Sequence, residues 1–237
     1  MEETEKDKLA LSWFTRAWDD YAANLPLLLP VVLAQAAISA GSFYIVARQH
    51  SFLPALPYMF FIVTPVTVGV NLFYIRLVRG SGARFTDLFS AFPVYHRALA
   101  VSLLLGAATA AGLLLFIIPG IIIHLTYAFS EYAVVDRRTG VRESFRLSSA
   151  ITLDWKTRLF PLFLAAALIG ALVPDIYVVT GPFKSPSATL DLKPWTVIAA
   201  ALKTLVFLPW LSLAVARAYT CLLDLRGTAP VAEPADD

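Results

Sequence analysis

The most constraining feature of the sequence is a stretch without Asp, Glu, Lys or Arg at residues 98–130. The nearest basic residues on either side of it, Arg97 and Arg137, are about 40 residues apart, so one continuous helix between them would be about 60 Å long, roughly twice the hydrocarbon thickness of a bilayer. That length excludes a single tilted helix with a proline kink. Since Pro lacks an N–H donor and Gly permits unusual dihedrals, Pro119 and Gly120 predict a tight hairpin turn between two membrane helices.

The composition extends this conclusion to the whole chain. Hydrophobic residues make up 58%, charged residues 15%, and the mean hydropathy is +0.70, whereas a soluble domain is about half apolar and a quarter charged. Apolar blocks lie at about 25–46, 56–78, 98–118, 119–135, 159–179 and 195–223. We therefore expect one integral membrane domain over 1–237, an all-α polytopic bundle of six transmembrane helices. The net charge of +2 is too small to indicate a nucleic-acid partner.

The distribution of basic residues predicts the orientation. Fifteen of the 19 Lys and Arg residues lie before the first block, between blocks two and three, between blocks four and five, or toward the C-terminus. Only Arg48, Lys184 and Lys193 lie in the connections on the other side of the membrane, which follow blocks one and five, and Lys203 lies inside the last block. Because basic residues concentrate in cytoplasmic loops, both termini are expected to be cytoplasmic. A flexible cytoplasmic tail is expected at 227–237.

An internal repeat suggests how the six helices are grouped. Residues 14–41 align without a gap to residues 85–112, with eight identities in 28 positions. Residues 141–172 follow the same plan, in which a short amphipathic segment leads into an apolar span. The sequence therefore predicts three hairpins, each preceded by a short interfacial helix, in repeat units at about 9–78, 84–135 and 141–223.

The predicted interfacial helices carry aromatic and aliphatic residues at helical spacing. In the first these residues are Leu11, Phe14, Trp18, Tyr21 and Leu25, opposite Arg16, Asp19 and Asp20, and in the second they are Phe85, Leu88, Phe89 and Phe92. Such helices either anchor the cytoplasmic end of the bundle or offer a surface that bends membranes or docks a partner. The sequence favours the anchor.

Polar residues inside the apolar blocks are the candidate site residues, because polar groups are costly in lipid and usually face the bundle interior. They are Gln35, Asn71, His124, Glu131, Lys203 and Arg217. Glu131 and Arg217 lie about 9 Å and 13 Å before basic residues that mark the helix ends, so we expect them to pair or to share a small polar network, either as a structural tie or as a proton or solute site. For Lys203, about 12 Å below the outer helix end, the nearest expected partner is Asp175.

No catalytic or metal-binding motif accompanies these residues. The three histidines fall in three separate regions, and the sequence contains no HExxH, no Gly-rich phosphate loop and no G-x-S-x-G elbow. The lone Cys221 excludes an internal disulfide. We therefore expect no catalytic residues, no metal and no cofactor, although an enzyme of the membrane interior remains a third alternative.

The segment IIPGIIIHLTYAFSEYAVVDRRTGVRESFRLS, residues 117–148, resembles the membrane domain attached to some glycerophosphodiester phosphodiesterases and its stand-alone prokaryotic relatives. The shared features are an Ile-Pro-Gly hairpin, a Val-Val-Asp exit and an interfacial helix, here Ser144 to Ser148. The Lys-Gly pair that often follows is replaced around Asp154 and Trp155. The resemblance implies six spans and a prokaryotic inner membrane. It implies no activity, because the phosphodiesterase chemistry belongs to a separate soluble barrel.

Together these features favour a non-catalytic membrane scaffold or an accessory subunit of a membrane complex. The alternative is a small transporter or lipid-handling protein, indicated by the prolines inside two spans, Pro65 and Pro209, and by the intramembrane charges. The expected partners are membrane lipids and either another membrane protein or a second copy of the chain.

Overall fold

The structure, a computed structural model, describes residues 3–227 and is almost entirely helical. The helices are α1 (Glu3–Ala23), α2 (Leu25–Gln49), α3 (Ala55–Arg79), α4 (Tyr95–Leu115), α5 (Ile117–Arg137), α6 (Val141–Thr152), α7 (Lys156–Leu172) and α8 (Pro194–Leu225). Two strands, β1 (Tyr177–Thr180) and β2 (Ser187–Leu190), form an antiparallel hairpin. The predicted tail lies outside the described residues, apart from Gly227.

Five helices are long and apolar enough to cross a membrane, and a sixth span exists if α6 and α7 count together. The five are α2, α3, α4 with the residues before it, α5 and α8. Helices α6 and α7 are bent by 110° at the intervening turn. The expectation of an all-α, multi-pass membrane bundle is thus confirmed, and the fifth predicted span is the one that departs from it.

That fifth span was placed at 159–179, but α7 ends at Leu172 and β1 begins at Tyr177. Pro174 interrupts the helix, and the following β-branched run at 178–180 favours a strand. The β-hairpin turns at Gly181, where φ is +93°. It contacts the region around the end of α2 through Phe43 and Tyr177, whose ring centroids are 4.7 Å apart. We call this the hairpin end, and the opposite end, with both termini of the described chain, the basic end.

Helices α4 and α5 are antiparallel, and the turn between them lies three residues before the predicted position. Phe116 alone is extended (φ −159°, ψ 149°), and it separates Leu115 from the start of α5. Pro119 and Gly120 lie in the first turn of α5, so the prediction that they form the turn is wrong. A proline is tolerated in a first helical turn, where the N–H it lacks has no helical partner.

The glycine of this pair has a packing role instead. A Cβ on Gly112 of α4 would lie 2.8 Å from the Cα of Gly120. The two helices therefore approach closely near the turn, where any larger side chain would push them apart. Farther along, the Ser102 hydroxyl of α4 donates a hydrogen bond of 2.6 Å to Glu131 of α5. The two helices thus stay in contact toward the basic end.

Two of the spans contain a five-residue π-helical segment followed by a proline. In α3 the segment is Met59–Val63 and the proline is Pro65; in α8 they are Lys203–Phe207 and Pro209. A π segment absorbs one extra residue and shifts the hydrogen-bond pattern, which accommodates the donor that proline lacks. The same device at the same spacing in two helices was not recognised from the sequence.

Helix α1 packs lengthwise against α8. The buried residues are Trp13, Ala17 and Tyr21, whereas Leu11 and Trp18 are 66% and 48% exposed. Trp13 also packs against Trp155, with ring centroids 5.8 Å apart. The predicted apolar face is thus divided, because Tyr21 is buried against the bundle whereas Leu11 and Trp18 lie on the outside. Trp13 and Ala17, which also contact the bundle, were not part of the predicted face.

The second predicted interfacial helix is instead two short 3₁₀ turns, Phe85–Phe89 and Phe92–Val94. Leu88 is fully buried, and the main chain there touches α3 so closely that a Cβ on Gly69 would lie 2.1 Å from the Leu88 carbonyl oxygen. Pro93, in the second of the two turns, and this close contact leave no room for a continuous helix.

Helix α5 is interrupted near its middle by a turn at Ala128 and Phe129, and α6 supplies the missing hydrogen bonds. The Ser148 hydroxyl donates to the Thr126 carbonyl at 2.9 Å and accepts from the Phe129 N–H at 3.2 Å. The Thr152 hydroxyl donates to the same carbonyl at 3.1 Å. Helix α6 therefore satisfies backbone groups of α5 that would otherwise lie unpaired at membrane depth.

Candidate functional site

The main polar site inside the bundle is built around Lys203, the first residue of the π segment of α8. Its side chain is buried, and its ammonium group lies 3.0 Å from both carboxylate oxygens of Asp175. It also donates to the carbonyl oxygens of Gly170 and Val173, each at 3.1 Å. The structure thus brings together the two residues that the sequence expected to pair.

These contacts place a positive charge at the C-terminal end of α7. The last carbonyls of a helix lack helical donors and carry partial negative charge, so a buried cation there is favourable. Asp175 balances this charge from the surface, since its side chain is 56% exposed whereas that of Lys203 is 6% exposed. Lys203 therefore ties α8 to the end of α7.

Beside this pair lies a cavity of about 360 Å³ between α2, α3 and α8. Its polar lining consists of Gln35, Ser39, Tyr74, Asp175, Tyr177, Thr204 and Ser212. Asp175 is the one charged residue of the lining, and its carboxylate is already paired with Lys203.

The predicted pairing of Glu131 with Arg217 is wrong. Arg217 instead forms a two-pronged ion pair with Asp20 of α1, at 2.5 Å from Nε and 2.6 Å from Nη2. Glu131 accepts a hydrogen bond from the Ser102 hydroxyl at 2.6 Å. The two residues were correctly placed toward the same end of the bundle, but depth along a helix does not specify the direction in which a side chain points.

Further ion pairs at the basic end were missed by the sequence analysis. Arg79 of α3 forms two contacts with Asp136 of α5, one of them at 2.9 Å, and the Tyr219 hydroxyl donates to the same carboxylate at 3.0 Å. Arg76 pairs with the buried Asp87 at 2.7 Å. Both arginines had been counted only as orientation signals. Their acidic partners are present in the sequence, but the sequence spacing does not indicate which acid pairs with which arginine.

The remaining candidates stand apart from these networks. The His124 ring packs edge-on against Phe163, with centroids 5.3 Å apart. Asn71 is half-buried on α3, and its side chain makes no hydrogen bond within residues 3–227. Neither residue lines the cavity beside Asp175. The six polar candidates therefore do not form a single intramembrane network.

Within the described part of the chain, no group of three or more His, Cys, Asp or Glu side chains could hold a metal ion. The chain also matches no protein-family model, no curated protein and no solved structure. Conclusions about function therefore depend on the geometry of the chain itself.

Proposed function

We propose that this protein is a non-catalytic scaffold or accessory subunit within a membrane complex. The observation that carries the proposal is the use of its intramembrane charges as ties between helices. Lys203 joins α8 to α7, Arg217 joins α8 to α1, and Arg79 joins α3 to α5. Charges that are paired between helices stabilise one arrangement of the bundle, whereas a transport pathway needs polar groups that line a continuous route.

We further propose that the chain lies in a prokaryotic inner membrane with both termini cytoplasmic, so that the basic end faces the cytoplasm. The excess of Lys and Arg in the loops of that end supports this orientation. The six helices would then form three hairpins, each led by an interfacial element. Contacts between α4 and α5 and between α7 and α8 support two of these hairpins.

The resemblance to the phosphodiesterase-associated membrane domain is also kept as a proposal. It is supported by the way residues 117–148 fold as one connected unit, since Ser148 of α6 bonds to the interruption of α5. The motif would then be the junction between an interrupted span and the interfacial helix that completes it. This reading assigns the motif a structural role and no activity.

A partner surface is offered by the tip of the hairpin between α4 and α5. Leu114, Phe116 and Ile118 are 88%, 75% and 70% exposed, and residues 113–118 contain no polar side chain. An apolar tip of this kind suits contact with a helix of another membrane protein or with lipid. We propose the protein partner, as the scaffold function requires.

The test is photo-crosslinking in native membranes with benzoylphenylalanine at Phe116, matched by the same residue at Leu104, which is 53% exposed in the middle of α4. A discrete crosslinked protein is expected from Phe116 and none from Leu104. Equal patterns at the two positions would remove the tip as a docking surface. Uptake of a solute or transfer of lipid by the purified protein in proteoliposomes would overturn the scaffold function itself.

One observation favours the alternative of a small transporter or lipid-handling protein. The cavity beside Asp175 lies against the π segment of α8, and π segments occur frequently at functional sites. Native mass spectrometry after extraction in mild detergent separates the two functions. A bound small molecule that is lost in Asp175→Asn would favour the alternative, whereas a retained protein partner would favour the scaffold.

A further inference from the structure

A group of arginines without acidic partners lies where α5 joins α6. Arg138, Arg142 and Arg146 are exposed, and within residues 3–227 their side chains form no hydrogen bond or ion pair. By contrast, Arg79 and Arg217, which also lie at the basic end, form ion pairs with carboxylates. We call Arg138, Arg142 and Arg146 the arginine corner.

The backbone of the corner is held in place by hydrogen bonds from neighbouring residues. Arg138 adopts a left-handed conformation with φ at +50° and ends α5. The Thr139 hydroxyl donates to the Ala133 carbonyl at 3.1 Å and lies 2.7 Å from the Ser144 hydroxyl. Arg97 of α4 donates to the Arg138 carbonyl at 2.9 Å. The three free side chains thus extend from a fixed main chain rather than from a loose loop.

The arginine corner surrounds a pair of adjoining cavities of about 360 and 670 Å³. The charged residues lining them are four arginines, Arg137 together with the corner, and a single acid, Glu143. Leu147 and Ala150 form an apolar side of the smaller cavity. The site therefore combines a strongly positive rim with an apolar wall, a combination that matches a phospholipid better than a soluble anion.

The position of α6 places this site at the height of lipid headgroups. Helix α6 turns by 110° into α7, so it runs nearly along the membrane plane if α7 follows the membrane normal. Its inward face is buried through Ser144, Ser148 and Thr152, while Arg142 and Arg146, four residues apart, share the outward face. Basic residues at this height attract anionic lipids.

We propose that the arginine corner binds the phosphate of an anionic glycerophospholipid. The guanidinium groups of Arg142 and Arg146 would donate to its oxygens in two-pronged contacts, with Arg138 adding charge from the end of α5. The first N–H groups of α6, beginning at Val141, add donors and a favourable dipole. Leu147 and Ala150 contact the upper acyl chain. The site is independent of the scaffold function and of the cavity beside Asp175.

The test compares lipid binding by the full chain and two double variants. Arg142→Gln with Arg146→Gln removes the corner, and Lys8→Gln with Arg226→Gln removes the same charge from exposed residues elsewhere at the basic end. Purified protein in detergent is titrated with phosphatidylglycerol, with phosphatidylcholine and with soluble glycerol phosphate, and bound lipid is counted by native mass spectrometry. Circular dichroism verifies that each variant is folded.

The wild type and the control variant should prefer phosphatidylglycerol over phosphatidylcholine. The corner variant should bind phosphatidylglycerol about thirtyfold more weakly, which corresponds to about fivefold for each arginine. Arg142→Lys with Arg146→Lys, which keeps the charge but loses the planar donor pair, should recover only part of the affinity. This lysine variant also preserves the test if the glutamine variant fails to fold.

Equal affinity of the wild type and the corner variant for phosphatidylglycerol would overturn the proposal. Saturation by soluble glycerol phosphate, with no further gain from the lipid, would retain a phosphate site but overturn its assignment to membrane lipid. Neither result depends on crosslinking at Phe116, so failure of this site is distinguishable from failure of the scaffold function.

Discussion

The Tyr21 hydroxyl of α1 donates a hydrogen bond of 2.9 Å to the Leu205 carbonyl of α8, four residues before Pro209. In an uninterrupted α-helix that carbonyl would accept from the N–H of residue 209, which proline lacks. The Tyr21 side chain therefore donates to a carbonyl that receives no helical hydrogen bond from Pro209.

We predict that Tyr21→Phe lowers the free energy of unfolding by about 1 kcal/mol, the usual net value of one such bond, because the carbonyl lies where water is scarce. Thermal unfolding in detergent is the measurement. In a Pro209→Ala background, where a helical donor returns, the same substitution should cost less. Tyr44→Phe, at an exposed position, is the matched control. Equal costs in the two backgrounds would contradict the proline explanation.

For the Lys203 and Asp175 pair, we predict that the two single variants differ. Asp175→Ala strands a buried ammonium group, whereas Lys203→Met leaves a carboxylate that is 56% exposed and can be hydrated. Loss of one partner that strands a buried charge costs about 3 kcal/mol or more, so Asp175→Ala should be the more damaging change. Chemical denaturation of both variants and of the double variant measures this. A reversed order would show that capping of α7, rather than charge balance, dominates.

A double-mutant cycle distinguishes the observed partner of Arg217 from the one expected from the sequence. Asp20→Asn and Arg217→Gln should be coupled by about 1 to 3 kcal/mol because the side chains form a two-pronged contact. Glu131→Gln and Arg217→Gln should be additive within about 0.5 kcal/mol. Melting temperatures of the six proteins decide the matter, and coupling in the second cycle would restore the original pairing.

The orientation is open to cysteine labelling, since a single substitution, Cys221→Ser, removes the native thiol. In that background Ser185→Cys, at the hairpin end, should react with a membrane-impermeant maleimide in intact cells. Arg138→Cys, at the basic end, should react only after permeabilisation. Both positions are exposed, so access within the protein does not limit either reaction. The same behaviour at both positions would contradict the proposed topology.

The spans were largely predictable because long apolar blocks have few physical alternatives. Their junctions were not. Pro119 and Gly120 correctly indicated that the apolar stretch is divided into two helices, yet the chain turns at Phe116. Proline also occurs in the first turn of a helix and glycine at close helix contacts, so these residue types alone do not mark the turn. The β-hairpin was not predicted because β-branched residues occur both in strands and in apolar membrane spans.

Of the ion pairs in the bundle, the sequence predicted the one at Lys203 but not the one at Arg217. Asp175 was found as the partner of Lys203 because proximity along the chain and depth agreed. Asp20 was missed as the partner of Arg217, although both residues were noted, because Asp20 had been assigned to the polar face of α1, opposite its apolar face. Pairings between elements distant in sequence need the rotation of each helix, which hydropathy and charge do not specify.

The hydrogen bonds from Ser148 and Thr152 to the interruption of α5 have a consequence for biosynthesis. Helix α5 leaves the ribosome before α6, so the Thr126 carbonyl lacks its Ser148 and Thr152 donors when its span can first leave the translocation channel. We therefore expect this acceptor to stay near water until α6 has been made and has turned back. Release of the hairpin formed by α4 and α5 into the lipid would then be linked to the synthesis of α6.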